Sequence, residues 1–139
     1  MGSEVNVKFF DKAIGQEEGV DCLFNLALSG SMVSLEGLIA ERVLAEFEAL
    51  KKEVKFGSIN LVKVSEYEAK LNQTKELSYS KYSDDPMARY YISRAIKAFE
   101  ANRFFVIVNG VQAENLDDKI VLLDNSEVEF FQLPALQGG

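Results

Sequence analysis

The chain has 139 residues, 47% of them hydrophobic and 27% charged, a globular mixture that suits one domain with a modest core and excludes disorder along the whole length. Its net charge of −7 sets it against a phosphate backbone, so nucleic acid is not an expected partner, whereas an acidic body is suited to docking on a basic one. No apolar run approaches the roughly 18 residues that span a bilayer, residues 1–5 lack the basic-then-apolar layout of a secretory signal, and the single Cys22 leaves neither an intramolecular disulfide nor a cysteine metal cluster. A cytoplasmic protein without membrane contact is expected.

Residues 5–10 alternate apolar and polar, which predicts a strand with Val5, Val7 and Phe9 facing a core. Residues 11–21 are polar and contain Gly15 and Gly19, as a turn requires. Residues 22–29 read as a second strand with Phe24, Leu26 and Leu28 on one face. Cys22 falls on that face as a small buried hydrophobe. No histidine and no neighbouring Lys or Arg is present to activate its thiol.

Ser34 is placed to cap a helix, and Leu35, Leu38, Ile39, Val43, Phe47 and Leu50 recur at helical spacing. Glu36, Glu41, Glu48 and Lys52 lie on the opposite, solvated face, and the helix is expected to fray near Gly57. Residues 55–63 admit a strand. Ser65 with Glu68 three residues on has the capping-box pattern of a short helix ending near Leu71. Residues 73–85 read as an exposed loop. Asp85-Pro86 then opens a helix with Tyr91, Ala95, Ile96 and Phe99 on one stripe, ended by Asn102. Residues 104–108 form a continuous apolar strand of the fully buried kind, Asn109-Gly110 is a two-residue hairpin turn, and residues 111–114 return as a brief strand. Residues 115–123 look like a connection anchored by Leu116, Ile120 and Leu122. Residues 124–126 form a turn, and Val128, Phe130 and Gln132 alternate with Glu129 and Phe131 in a last strand.

Two stretches make this order more specific. Phe-Val-Ile-Val-Asn-Gly-Val at 105–111 resembles the central strand and turn of the small sulfur-carrier proteins of the MoaD/ThiS family. Glu-Val-Glu-Phe-Phe at 127–131, followed by Leu-Pro-Ala-Leu-Gln-Gly-Gly at the end, resembles that family's final strand and its Pro-containing Gly-Gly tail. The helix entry Met32-Val33-Ser34-Leu35 is similar too. The matches cover roughly the first 50 and the last 36 residues. The chain departs from the family in an insertion at about residues 53–103, between main helix and central strand, in a tail segment about two residues longer, and in a last hairpin without Asp-Gly.

The resemblance implies an α+β fold: a single ubiquitin-like β-grasp domain over residues 1–139, a mixed sheet packed on one main helix, with an inserted helical region. It implies a carrier, not an enzyme acting alone. The carboxylate of Gly139 would be adenylated by an E1-like adenylating enzyme, with ATP and magnesium supplied by that partner and no cofactor or metal bound by the chain. A sulfur donor would then convert it to a thiocarboxylate. In one branch of the family the sulfur goes to a molybdenum-cofactor precursor, so the large subunit of a molybdopterin synthase is an expected partner; in the other it goes to a thiazole. Glycine suits the reactive end because it lacks a Cβ and threads a narrow channel. Leu133, Pro134, Leu136 and Gly138 would meet the partner, Pro134 by stiffening the tail base and the leucines as apolar docking points.

Other readings stay open. The activated glycine can instead be joined to target lysines. A β-grasp binding module whose C-terminus is never activated would use aromatic anchors such as Tyr79, Tyr82, Tyr90 and Tyr91, although tyrosines there are more often ordinary packing. A loose, inert tail is the bland alternative. An enzyme acting alone is the weakest reading, since there is no histidine, no Gly-rich phosphate loop and no nucleophile–base pair. Asp84-Asp85 and Asp117-Asp118 are better read as cap and loop residues than as acid/base pairs.

Overall fold

The computed structural model describes residues 4–13, 22–29, 32–52 and 79–133. The fold is α+β, and among the described residues it holds a mixed sheet and two helices. In chain order the elements are β1 (Glu4–Ala13), β2 (Cys22–Ser29), β3 (Met32–Ser34), α1 (Leu35–Lys51), α2 (Pro86–Glu100), β4 (Phe104–Val108), β5 (Val111–Ala113), β6 (Lys119–Val121) and β7 (Ser126–Gln132). The expected strand and helix within residues 55–71, and the fraying at Gly57, lie outside the described residues. The chain divides into two compact units, one made of Met1–Leu35 and Phe99–Gly139 and the other of Glu36–Ala98.

The first unit holds a five-stranded sheet of order β2-β1-β7-β4-β5 and a two-stranded sheet of β3 and β6. β1 runs antiparallel to β2 and parallel to β7; β7 runs antiparallel to β4, and β4 antiparallel to β5. Alternation decides which residues go inside. Val5, Val7, Phe9, Val106, Val128 and Phe130 are buried, and the registers set Phe9 beside Val128 and Val106 beside Phe130. At the centre Phe130 meets Phe9 edge-on at 5.6 Å between ring centroids and tilts against Phe104 at 6.2 Å, geometries that suit the ring quadrupoles.

Three expectations are corrected here. β1 continues through Asp11 and Lys12 to Ala13, where a turn was expected. The parallel register extends that far, pairing Ala13 with Gln132, so sheet hydrogen bonding overrides the polar character of the segment. Residues 115–123 are not a bare connection, because β6 lies inside them and pairs with β3, itself unforeseen. Three-residue strands give too little alternation to be read from periodicity. Finally, the β1–β2 register shifts between Phe9 and Phe10, so Cys22 stands opposite Phe10, out of phase with the row that joins Val5, Val7 and Phe9 to Leu28, Leu26 and Phe24.

The turns follow local chemistry. Asn109 and Gly110 have φ of 48° and 85°, the paired positive values that a tight hairpin needs. Asn125 supplies the positive φ of the turn into β7, at 69°, and its N–H donates to the Asn6 carbonyl at 2.8 Å. The Asp118 carboxylate accepts the N–H groups of Asn115 at 3.0 Å and Glu114 at 3.2 Å. That pair of bonds, Asn115 foremost, holds its carboxyl below the usual carboxylate range.

The second unit contains nearly all of α1 and α2. α1 departs from a simple amphipathic stripe. Gly37, Leu38, Ile39 and Ala40 are buried in succession, so burial there follows no single helical stripe. Leu50, expected on the buried stripe, is exposed. Arg42, to which the sequence pattern gave no role, is wholly buried and its Nε donates to Glu46 at 2.6 Å. Glu41, expected on the solvated face, is half-buried, and desolvation raises its pKa. α2 begins as expected: the Met87 N–H donates to Asp85 Oδ1 at 2.9 Å, and Pro86 occupies the position where no N–H is needed. Asn102, at φ 61°, ends it in the left-handed conformation. Phe47 of α1 meets Tyr91 of α2 edge-on at 5.4 Å.

Two stability predictions follow from the sheet. Phe130→Ala should cost about 3–5 kcal/mol by the usual scale for deleting a buried aromatic ring. Gly110→Ala should cost about 1 kcal/mol from backbone strain alone, because a Cβ there meets no atom within 4 Å. Urea unfolding of the full chain measures both. The depressed pKa of Asp118 has a definite sign. Its folded-state pKa lies below the unfolded value near 3.9, so its stabilisation is full above that value and is lost as pH falls through the folded pKa. The stability difference between the native chain and Asp118→Ala should therefore shrink on acidification below about pH 4; a pH-independent difference contradicts this.

Candidate functional site: the C-terminal strand and its exit

The candidate site is the point where the chain leaves β7. Gln132, the last residue of that strand, pairs with Phe104 on one side and Ala13 on the other. Immediately beyond, the Leu133 N–H donates to the Arg103 carbonyl at 3.0 Å, and Leu133 is half-buried. The exit is therefore fixed by backbone bonds on both flanks. Pro134, Leu136, Gly138 and Gly139, the other expected site residues, lie outside the described residues.

One face of β7 near the exit carries a cluster that sequence reading did not assemble. Phe131 stacks on Phe105 with ring centroids 6.1 Å apart. Lys12 Nζ lies 5.3 Å from the centre of the Phe131 ring and also pairs with Glu129. A cation over an aromatic face, tied to a carboxylate one pleat away, holds the half-exposed end of β7 in place. The three residues come from β1 and β7, 117 to 119 positions apart in the chain, so only the parallel register brings them together.

A groove of about 490 Å³ opens at the β4 start, lined by Phe104, Phe105, Gln112, Glu100, Glu114 and Asp117 among others. Among the described residues its lining carries three carboxylates and no basic side chain, a field that favours a cation.

The tyrosines considered as interface anchors fall into two classes. Tyr90 and Tyr91 are buried and act as packing. Tyr79 and Tyr82 are half-buried and stacked at 6.5 Å, with the Tyr82 hydroxyl donating to Glu36 at 3.2 Å. Burial, followed by the Glu36 charge, pushes the Tyr82 pKa up. Lys81 lies over the Tyr82 ring and 3.7 Å from Glu36. Asp85 and Asp118 serve as cap and turn acceptors, in line with the structural reading of both acidic pairs. Among the described residues no helix is long and apolar enough to cross a membrane.

No protein-family model, curated protein or solved structure matches this chain.

The exit geometry carries a prediction of its own. Lys12→Ala removes both the cation over Phe131 and the partner of Glu129. It should loosen the last turn of β7 and raise amide hydrogen exchange at Phe131, Gln132 and Leu133, while Val128 and Phe130 keep their protection. Equal exchange at all five positions in both proteins counts against a local role for the cluster.

Proposed function

We propose that the chain is a ubiquitin-like sulfur carrier of the β-grasp type, acting through its C-terminal glycine. The observation that carries this reading is the strand order. An N-terminal hairpin, β1 and β2, is followed by a helix, and the C-terminal strand β7 enters the sheet parallel to β1 and antiparallel to β4, the order expected of a β-grasp sheet. The tail then follows directly from a central strand whose exit is held at Leu133. A reactive end tethered in this way is presented by a rigid body at low entropic cost.

In this reading Gly139 carries the carboxylate. A carboxylate is a poor electrophile, so it is first adenylated. An E1-like enzyme brings ATP and magnesium, the carboxylate oxygen attacks the α-phosphorus, and pyrophosphate leaves. A sulfur nucleophile then displaces AMP to give the thiocarboxylate, whose sulfur passes to an acceptor such as a molybdopterin precursor held by the large subunit of a synthase. Leu133, Pro134, Leu136 and Gly138 are the proposed partner contacts.

The test is intact mass spectrometry of the chain after incubation with ATP and the E1-like enzyme of the same organism, with and without a sulfur donor. A gain equal to exchange of one oxygen for sulfur, dependent on both ATP and donor, is the expected result. Attachment to lysines in place of sulfur uptake assigns the activated glycine to conjugation. No ATP-dependent change with any cognate enzyme overturns the reading. Deleting Gly138 and Gly139 should abolish the reaction and shift stability by no more than about 0.5 kcal/mol.

A further inference from the structure

Among the described residues of the first unit four large apolar side chains face outward: Met32 at 62% exposure, Val111 at 70%, Val121 at 55% and Leu123 at 64%. Three of them share one face. Along residues 119–123 exposed and buried positions alternate strictly, with Ile120 and Leu122 inside and Lys119, Val121 and Leu123 outside, and the register sets Met32 directly opposite Val121. Val111 and Val121 line the two sides of a groove of about 340 Å³, with Gln112 and Ala113 on the β5 side and Lys119 on the β6 side. β5 is the last strand of the five-stranded sheet, and β6 pairs with β3 in a separate one. Among the described residues the groove thus lies between two strands that do not pair with each other.

The groove does not end at Ala113. Gln112 and Ala113 also line the acidic groove that carries Glu100, Glu114 and Asp117. A groove of mixed lining, with Val111 and Val121 as its exposed apolar residues, thus adjoins an anionic one at Gln112 and Ala113. Among its described lining residues the second groove carries Glu100, Glu114 and Asp117 and no cation, while Asp118 and Lys119 line the first; a cleft wall of one sign focuses the field. Of the carboxylates on the path, Asp118 is engaged with backbone N–H groups, whereas Glu114 and Asp117 are exposed.

We propose that this composite groove docks an extended segment of a partner protein in which apolar residues are followed by lysines or arginines. The apolar residues lie between Val111 and Val121, where the edge of β5 offers strand addition, and the basic residues lie against Glu100, Glu114 and Asp117. Charge complementarity selects the partner and speeds encounter, while apolar contact holds it. The inference is independent of what happens at Gly139.

Selection of a random peptide library on the immobilised full chain, followed by fluorescence polarisation with the enriched peptides, tests it. The enriched peptides should combine β-branched or aromatic residues with lysine or arginine. They should bind at least about tenfold more weakly to the double variant Val111→Ser/Val121→Ser, and by a similar factor to Glu114→Lys/Asp117→Lys. All four positions except Asp117 and Glu114 are apolar and all are exposed, so circular dichroism melting should show both variants folded. Raising salt from about 0.05 M to about 0.5 M should weaken binding to the native chain more than to the Glu114→Lys/Asp117→Lys variant. Amide shifts in NMR spectra should cluster at residues 111–121. The proposal is overturned if no peptide is enriched, if the enriched peptides lack basic residues, if the variants bind as well as the native chain, or if the patch proves to be the interface of a dimer.

Discussion

The parallel pairing of β1 with β7 is the constraint on which the sheet depends. It joins Val7 to Ser126 at one end and Ala13 to Gln132 at the other, residues more than a hundred positions apart. No short turn can make a parallel pair, so the chain needs a long crossover before β7 can lie beside β1. The pair is secured at its centre by Phe9 against Phe130 and at its margin by Lys12 with Glu129 and Phe131. β2 and β4 then add on either side, each antiparallel to its neighbour. A pairing of such long sequence separation carries a large loop-closure cost, and the apolar row of Val5, Val7, Phe9, Val128 and Phe130 is what offsets it.

The same pairing fixes how the chain is presented at its C-terminal side. Because β7 lies between two strands, its last residue is held from both directions, and the Leu133 N–H adds one further bond to Arg103. The proposed carrier chemistry needs a reactive end projected from an unyielding base, since a loosely held base would lose part of the partner's binding energy to ordering. The second unit has a different physical character. There α1 encloses Arg42 with Glu46, a buried pair whose Coulomb attraction must offset the desolvation of both ions, and α2 is fixed by its Asp85 cap.

Much of this was legible in the sequence. The two helices, the apolar strand at 104–108, the Asn-Gly hairpin and the Asp85-Pro86 helix start each rest on local rules, and each is found where those rules place it. The elements that were missed are those without a local signal. β3 and β6 are three residues long and exist because they pair with each other. The last part of β1 is polar and extends only because β7 is beside it. Arg42 looks like a surface residue by composition and is wholly buried, with Glu46 as its partner one helical turn on. Of the candidate site, the strand leading to the exit was readable from the alternation of Val128 and Phe130, whereas the grouping of Lys12 with Phe131 and Phe105 was not.

The sequence by itself determined the helices that begin at Leu35 and Pro86, the body of the longer strands, the hairpin turn at Asn109-Gly110 and the inward residues of β1, β4 and β7, because these depend on side-chain period and backbone sterics within a few residues. Tertiary structure alone decided the parallel join of the first and last strands, the register shift that puts Cys22 opposite Phe10, and the grouping of exposed Met32 with Val121 across the β3–β6 pair. Those features depend on register, and register is a relation between distant strands that one strand's residues cannot specify.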